Sequence, residues 1–403
     1  MPRNQKRGPV AAQATKIVLT GGGSGGHITP LLSLARALKR ADSSCQLIYI
    51  GLKVEKIELS DKRFSVFDQI SFVSSGKFRR YHGESLLSHL LDVKTLLLNL
   101  RDVFKVLWGT LKAFWLLGRY KPALVFSKCG YVVVPVGMAA RLRGITLVTH
   151  DSDAVPGLAN RIIGRWARLH ATGMPPQYYP YAKDSVVHTG IPVDERVKPV
   201  DEGLQKKLKK QIDLPSDCLM LLVAGGGHGS QTINELAVEI AAELLEANLL
   251  LQIVHFSGSA HQDHVAEHYM KKLGKQMPSR VRVLGFSSDF YAYSGAADVV
   301  LARAGATTIA ELAIQRKAAV IIPSPFLTGG HQLKNAEELT TKTAAVVLPN
   351  DVSPQKLLTV LNDLLQNQQR REHLAHNISR LAQPDAASHL AELLLGAARP
   401  KKS

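Results

Sequence analysis

The sequence predicts an α/β protein of two doubly wound domains whose parallel sheets face a shared cleft. Two apolar, β-like runs each end in a glycine-rich turn that opens a helix. Residues 16–20 lead into GGGSGGH (Gly21 to His27), and residues 219–224 lead into GGGHGSQ (Gly225 to Gln231). Bare backbone at such a turn can approach an anionic group lying on the helix N-terminus. Further strand-length runs are separated by helical patterns rather than tight hairpins, the pattern of parallel strands joined by crossovers. A chain of 403 residues, 45% of them hydrophobic, is long enough for two or three such cores.

Residues 1–15 read as a disordered basic tail rich in small residues. Strands are then expected at 16–20, 46–50, 123–127, 145–149 and 185–189, with helices at 30–39, within 84–118 and at 158–167. His188-Thr189-Gly190-Ile191-Pro192 breaks the pattern, which places the first domain at 16–190 and the second at 191–375. A lysine-rich helix at 204–210 leads into the second set of strands, at 219–224, 251–256, 281–286, 298–302, 318–322 and 344–348. The last segment, 376–403, reads as a helix that packs back on the first domain, followed by a short basic tail.

Net charge is +17 with an isoelectric point near 9.8, so an anionic partner is expected. No RNA- or DNA-binding signature is present; no nucleic acid is expected as partner, which leaves phosphorylated small molecules and acidic lipid headgroups. Cys45, Cys129 and Cys218 stand singly, as reduced thiols of a cytosolic protein do. The N-terminus lacks the apolar stretch of a secretory signal. The greasy region 86–117 is broken by Asp92, Lys94, Arg101, Asp102, Lys105 and Lys112, short of the roughly 20 apolar residues of a spanning helix. A cytoplasmic protein is expected.

The first glycine turn suits a phosphate or diphosphate. A dinucleotide would also need an acid after the second strand; Ile50-Gly51-Leu52-Lys53 has none, which disfavours NAD. His27 opens the next helix, where the helix dipole keeps an imidazole neutral and able to take a proton from an alcohol; a hydrogen-bonding cap is the alternative. In the second half, Arg303-Ala304-Gly305-Ala306 ends a buried run and opens a helix carrying Thr307, Thr308 and Glu311 on one face. One reading puts a nucleotide diphosphate on that N-terminus and Glu311 on the ribose diol. The other is a capping box running from Thr308 to Glu311. Pro323 to Leu339 then supplies Gly330, His331, Gln332 and Asn335, polar groups suited to sugar hydroxyls at the sheet edge where ligands bind.

Asp151-Ser152-Asp153 has the form of a metal-holding acid pair. Its continuation through Gly157, Asn160 and Arg161 favours instead a loop–helix element whose acids bond an acceptor molecule or the loop itself. His261, His264 and His268 share a helical face and, with no carboxylate evident beside them, read as a solvated face rather than a zinc site. Lys77, Phe78, Arg79, Arg80, Trp108 and Trp115 mix basic and aromatic character, a combination suited to an anionic bilayer surface, while most apolar residues around them are expected in the core.

Two nucleotide-type domains across one cleft suit the movement of a sugar from a nucleotide to an acceptor. Four segments in order resemble the MurG family of glycosyltransferases over roughly residues 16–390. They are GGGSGGHITP at 21–30, CGYVVVPVGMAA at 129–140, HDSDAVPGLANR at 150–161, and RAGATTIAEL at 303–312 with HQLKNA at 331–336. The resemblance implies a GT-B fold, and an inverting, metal-independent transfer of GlcNAc from UDP-GlcNAc to the 4-hydroxyl of MurNAc. The acceptor would be lipid I, linked to undecaprenyl diphosphate, and the product lipid II for peptidoglycan; no cofactor beyond the donor substrate is implied.

By the same resemblance Gly25, Gly26, His27, Thr29, Tyr131, His150, Asp151, Asp153 and Asn160 meet the acceptor, with His27 or Asp151 as the base. Gly226, Gly227, His228, Gly229, Ser230, Arg303, Gly305, Ala306, Thr308, Glu311, His331, Gln332 and Asn335 surround the UDP-sugar. A peripheral place on the inner face of the plasma membrane, on its anionic surface, and cell-wall synthesis proteins as partners also follow. A lipid glycosyltransferase using diacylglycerol, and a nucleotide- or lipid-binding protein without turnover, are the alternative readings. The chain departs from the family pattern in several places. An acid-x-Asn segment is usual where Asp151-Ser152-Asp153 stands, Gly-Gly-Ser where Gly225-Gly226-Gly227 stands, and paired glutamines where His331-Gln332 stands. Gly-Asn-Pro-Val-Arg is usual where Gly190-Ile191-Pro192-Val193-Asp194 stands; the lost arginine removes a phosphate contact, with Arg196 as the nearby candidate to replace it.

Overall fold

The computed structural model describes residues 14–22, 25–52, 62–76, 93–274, 277–326 and 328–399, leaving aside the side chains of 25–27, 62–63, 93–96, 277–278 and 328. The first sheet holds β1 Lys16–Thr20, β2 Gln46–Gly51, β3 Gln69–Phe72, β4 Leu124–Ser127, β5 Thr146–Asp151, β6 Leu169–Thr172 and β7 Val186–His188. Its order is β3-β2-β1-β4-β5-β6-β7. The second holds β8 Leu219–Ala224, β9 Leu251–Phe256, β10 Val281–Leu284, β11 Val299–Ala302, β12 Ala318–Ile321 and β13 Val346–Val347, in the order β10-β9-β8-β11-β12-β13. Every pairing is parallel. These are the two doubly wound sheets that the alternating apolar runs predict.

In both sheets the strand order reverses beside the first strand, at β1/β4 and at β8/β11, and ligands of open parallel sheets bind at such switch points. Register decides which residues meet there. Thr20 lies opposite Ser127, and Ser127 opposite Thr149, so Gly21, Lys128 and His150 follow on abreast. Ala302 lies opposite both Ala224 and Ile321, so Gly225, Arg303 and Ile322 follow on abreast.

Two strands are not anticipated by the apolar runs. β3 is a four-residue edge strand, QISF, only partly buried, and β6 is LHAT, where His170 and Thr172 interrupt the apolar pattern. The helix expected at 30–39 begins earlier and runs Gly25–Ala41, which puts His27 in its first turn. The helix expected at 158–167 is Leu158–Ile163 followed by a 3-10 turn, Gly164–Trp166. Of the 84–118 helix, Val93–Tyr120 is described; Lys77, Phe78, Arg79 and Arg80 lie outside the described residues. Among the described residues no helix is long and apolar enough to cross a membrane.

The final helix, Ala386–Ala398, sits in the first domain's core although it follows the second domain in the chain. Leu390, Ala391 and Leu394 are fully buried with Ile17, Leu19, Leu34 and Leu38. The chain therefore crosses between the domains twice, once after β7 and again before residue 386. Removing a buried leucine leaves a cavity costing about 2–5 kcal/mol. Leu394→Ala is expected to lower stability by that order, measured by urea unfolding, with the loss falling on the first domain's transition.

Candidate functional site

The turn after β8 is built for close backbone approach. Gly226 and Gly229 have φ of 92° and 78°, and a Cβ on Gly229 would lie 1.9 Å from the Ser257 carbonyl oxygen. Gly226, Gly227 and His228 are exposed at its tip. Ser230 caps the helix Gln231–Ala247 by accepting from Ile233 N. The Ser230 hydroxyl also accepts from Arg303 Nε at 2.9 Å, while Arg303 Nη1 donates to the Ile322 carbonyl at 3.0 Å and to Asn350 Oδ1 at 2.7 Å. Arg303, expected to touch the donor, is thus nearly buried and ties three strand ends together.

Immediately after it, Gly305 is the N-cap of the helix Ala306–Gln315, and no side chain caps that terminus. The capping-box reading is corrected here: Thr308 is the helix's third residue, not its cap. The first N–H groups of the helix, at Ala306, Thr307 and Thr308, have no partner within the helix, the condition in which a helix N-terminus can receive an anion. Glu311 follows as a half-buried residue with no hydrogen-bond partner among the described residues. Burial pushes its carboxyl pKa up to about 8, with the negative charge of Asp194 adding. Arg196, the candidate to replace the missing phosphate contact, has its guanidinium paired with Asp194 at 2.9 Å and Asp289 at 2.7 Å.

The sugar-loop amides have other work. The Gln332 amide oxygen accepts from Ser324 N at 2.8 Å. Asn335 is fully buried; its Nδ2 donates to the Ala304 carbonyl at 3.0 Å and to Asp153 Oδ1 at 2.9 Å, and its Oδ1 accepts from Ala154 N at 2.9 Å. The residue expected on the donor sugar and one expected on the acceptor are therefore bonded to each other across the cleft. His331 is half-buried at the start of this helix, His331–Thr341.

On the opposite wall, the turn after β1 meets the loop after β4. Cys129 and Gly130 both have positive φ, 80° and 94°, and a Cβ on Gly130 would lie 2.2 Å from the Gly22 carbonyl oxygen. The Tyr49 hydroxyl donates to the Gly21 carbonyl at 2.9 Å. Gly25, Gly26 and His27 lie in the first turn of the helix that follows, with Thr29 half-buried just beyond; Tyr131 is half-buried on the β4 loop. Lys128, which the sequence reading passes over, is 1% exposed and its Nζ donates to the Ser152 hydroxyl. Burial lowers its pKa, against Cys129, Asp153 and Asp151, which pull it back up. The signal for it is a lysine ending an apolar strand directly before Cys-Gly.

Three acceptor-side expectations are corrected by burial. Asp151 is 2% exposed: Oδ1 accepts from Asn160 Nδ2 at 3.0 Å and Gly157 N at 3.3 Å, and Oδ2 from the Tyr181 hydroxyl at 2.9 Å. Burial raises its pKa, and the Tyr181 and Asn160 bonds oppose the rise. Both oxygens are occupied, so it has no open face on which to take a proton from an acceptor alcohol. Asn160 is fully buried, accepting from the Ser127 hydroxyl at 2.8 Å and donating to the His150 carbonyl at 2.9 Å. His150 is fully buried with Nε2 on the Gly190 carbonyl at 2.9 Å, and burial, with Lys128 adding, holds its pKa well below the usual range. All three are held within the protein by these bonds, with His150 Nδ1 buried and without a partner. Among the described residues no group of three or more His, Cys, Asp or Glu is placed to hold a metal ion.

Comparison with known proteins sets this geometry in context. Residues 17–172 match the glycosyltransferase family 28 N-terminal domain, and residues 220–390 match its C-terminal domain. A UDP-N-acetylglucosamine–N-acetylmuramyl-(pentapeptide) pyrophosphoryl-undecaprenol N-acetylglucosamine transferase of Desulforamulus reducens is 30% identical over 93% of this chain and 96% of its own length. The chain belongs to the MurG family of glycosyltransferases. A Bacillus cereus relative with the same transferase name is 31% identical over 94% of this chain and 98% of its own. The crystal structure of Acinetobacter baumannii MurG superposes with a TM-score of 0.68 over 95% of this chain and 99% of that one, at 24% identity, which supports the GT-B fold. The chain is accordingly a UDP-sugar glycosyltransferase.

Gly229→Ala tests the turn after β8. A residue with a Cβ there meets both a left-handed backbone, which costs about 1–3 kcal/mol, and the Ser257 carbonyl. The variant is expected to lose at least about 2 kcal/mol of stability in chemical denaturation, whereas Gly227→Ala, which faces open space, is expected to stay near wild type.

Proposed function

We propose that the chain transfers GlcNAc from UDP-GlcNAc to the 4-hydroxyl of the MurNAc unit of lipid I, making lipid II for peptidoglycan, by a single inverting displacement. The observation that carries the reading is the uncapped helix N-terminus at Gly305–Thr308, beside the glycine turn that Arg303 and Ser230 hold, with the unpartnered Glu311 one turn along. The UDP diphosphate lies on the N–H groups of residues 306–308 and the Gly226–Ser230 turn, and Glu311 accepts from the ribose hydroxyls. His27, in the first turn of its helix, is the base that takes the acceptor proton, since Asp151 has both oxygens engaged. Fixed N–H dipoles aimed at the departing diphosphate stabilise charge as it develops. Asp151 accepts from Asn160 and Tyr181, and Asp153 Oδ1 from Asn335, which supports a metal-independent transfer.

The exposed face of the helix Val93–Tyr120 supports a membrane role. Leu97, Leu100, Phe104, Leu107, Trp108, Leu111 and Trp115 recur at helical spacing on its surface; Trp108 is 66% and Trp115 59% exposed. Arg101, Lys105, Lys112 and Arg119 are exposed on the same helix, and the Arg119 guanidinium lies 5.6 Å from the Trp115 ring centre. An apolar stripe with basic neighbours suits the headgroup boundary of an anionic bilayer. This supports a peripheral position on the inner face of the plasma membrane, where a lipid-linked acceptor is presented. The double variant Trp108→Ser/Trp115→Ser is expected to bind anionic vesicles at least fivefold more weakly in co-sedimentation, with calorimetric UDP affinity unchanged.

Two catalytic expectations follow. In a UDP-release assay with lipid I, His27→Ala is expected to lose at least about a hundredfold in kcat, of the size general bases contribute; wild-type rates for it would remove His27 from the mechanism. Glu311 sets a pH dependence. With a carboxyl pKa of about 8 in the free enzyme, it is mostly protonated at pH 7, and accepting from two hydroxyls requires the carboxylate. UDP binding therefore expels a proton, and affinity rises by about tenfold between pH 7 and pH 9 before levelling off. Glu311→Gln is expected to bind UDP more weakly and to flatten that profile.

A further inference from the structure

We propose that Lys128 is the fixed positive charge of the acceptor wall. Buried between the first glycine turn and the acid loop 151–153, it offsets the carboxylates of that loop, so that an acceptor carrying a diphosphate can settle there. The inference rests on the reading above, which brings a lipid-linked diphosphate to this wall, and it adds the residue that makes the wall electrically acceptable.

Lys128 directly follows β4, abreast of Gly21 and His150 at the switch point. Its backbone N–H donates to the Thr20 carbonyl at 2.8 Å, and a Cβ on Gly21 would lie 3.0 Å from the Lys128 Cβ, so the start of the side chain packs against the turn. At its far end, Nζ donates to the hydroxyl of Ser152, the middle residue of the acid loop. The residue is 1% exposed, and Ser152 is the one hydrogen-bond partner of its ammonium among the described residues. A buried charge held by so few bonds needs opposite charge close by. Against burial, its protonated form is favoured by Cys129, Asp153 and Asp151. Burial pushes the Cys129 thiol up to about 12, so at neutral pH the two acids are the counter-charges.

Those acids differ in what they present. Asp151 has both oxygens bonded inside the protein. Asp153 is half-buried; its Oδ1 accepts from Asn335, and its Oδ2 has no hydrogen-bond partner among the described residues. An acid-x-Asn segment is usual at this place, so the second acid is this chain's own, and the buried lysine supplies the charge that it requires. A unit charge within about 10 Å, acting through an effective dielectric of about 20, changes the affinity of an anion by roughly tenfold. With Lys128 in place the wall receives a diphosphate; without it, the same wall repels one.

The test uses the full chain and its variants Lys128→Met, Asp153→Asn, Ser152→Ala and Lys128→Met/Asp153→Asn. Two acceptors are compared, a lipid I analogue with its diphosphate and one in which an uncharged linker replaces it. For the diphosphate analogue, Lys128→Met is expected to raise KM about tenfold with kcat and calorimetric UDP affinity within about threefold of wild type. For the uncharged analogue its KM is expected to stay within about threefold of wild type. Adding Asp153→Asn to Lys128→Met is expected to restore most of the loss, which a packing defect would not allow. Ser152→Ala removes the bond and keeps the charge, so its KM is expected to change by less than about threefold. An unchanged KM in Lys128→Met, an equal loss on both analogues, a double variant no better than Lys128→Met, or a Ser152→Ala as damaging as Lys128→Met would each overturn the proposal. Urea unfolding needs no acceptor: the double variant is expected to be more stable than Lys128→Met, and a double variant no more stable sinks the charge balance. A wild type that glycosylates neither analogue counts against lipid I as the acceptor, and unfolding then decides the role of Lys128 separately.

Discussion

Two parallel sheets buried on both faces impose the constraint on which the rest of this molecule depends. Helices cover each face, so the strands are apolar almost throughout, and polar chemistry is confined to the loops at their carboxyl ends. Register then aligns those loops: Gly21, Lys128 and His150 follow adjacent strands on one side, and Gly225, Arg303 and Ile322 do so on the other. Crowding at these edges explains the glycines. A Cβ at Gly130 would strike the Gly22 carbonyl, and one at Gly229 the Ser257 carbonyl, so backbone lies on backbone at the β1/β4 switch point and between the ends of β8 and β9.

Within that crowded edge, buried polar groups sort into two kinds. Most are satisfied by the protein itself, as burial demands. Asp151 is held by Asn160, Tyr181 and the Gly157 N–H; Arg303 by Ser230, Ile322 and Asn350; Asn335 by residues of both domains. These make the walls rigid without facing a substrate. Others are without partners among the described residues: the buried Thr20 hydroxyl, His150 Nδ1 and Gln315 Oε1, and, on the helix Ala306–Gln315, its first N–H groups and the half-buried Glu311 carboxyl. Groups in that condition are the ones a ligand can satisfy, and the raised pKa of Glu311 is the electrostatic mark of a carboxyl waiting for donors.

Much of the fold was legible in the sequence because its signals are local. An apolar run followed by glycine marks β1 and β8 unaided, and the uninterrupted apolar strands β2, β9 and β12 follow the same reading. β3 and β6 were not legible, being four residues long with polar residues such as Gln69, Ser71, His170 and Thr172 breaking the run. The site was legible in part. The turn at Arg303–Ala306 and the acid one turn later stand together on one helix, as their spacing suggests. Asn335 and Asp153 are 182 residues apart in the chain, and no local pattern tells that their side chains meet. Lys128 was hidden for the same reason, since its partner Ser152 comes from the next strand's loop.

The sequence by itself determined two parallel sheets and the glycine turns at their switch points, because apolar periodicity and backbone freedom are written residue by residue; the family came from the resemblance of four segments to known glycosyltransferases. Tertiary structure alone decided which of the polar residues at those edges are occupied and which stand open. That choice depends on partners brought from distant loops, since a buried amide or carboxylate takes whatever donor or acceptor the packing sets beside it.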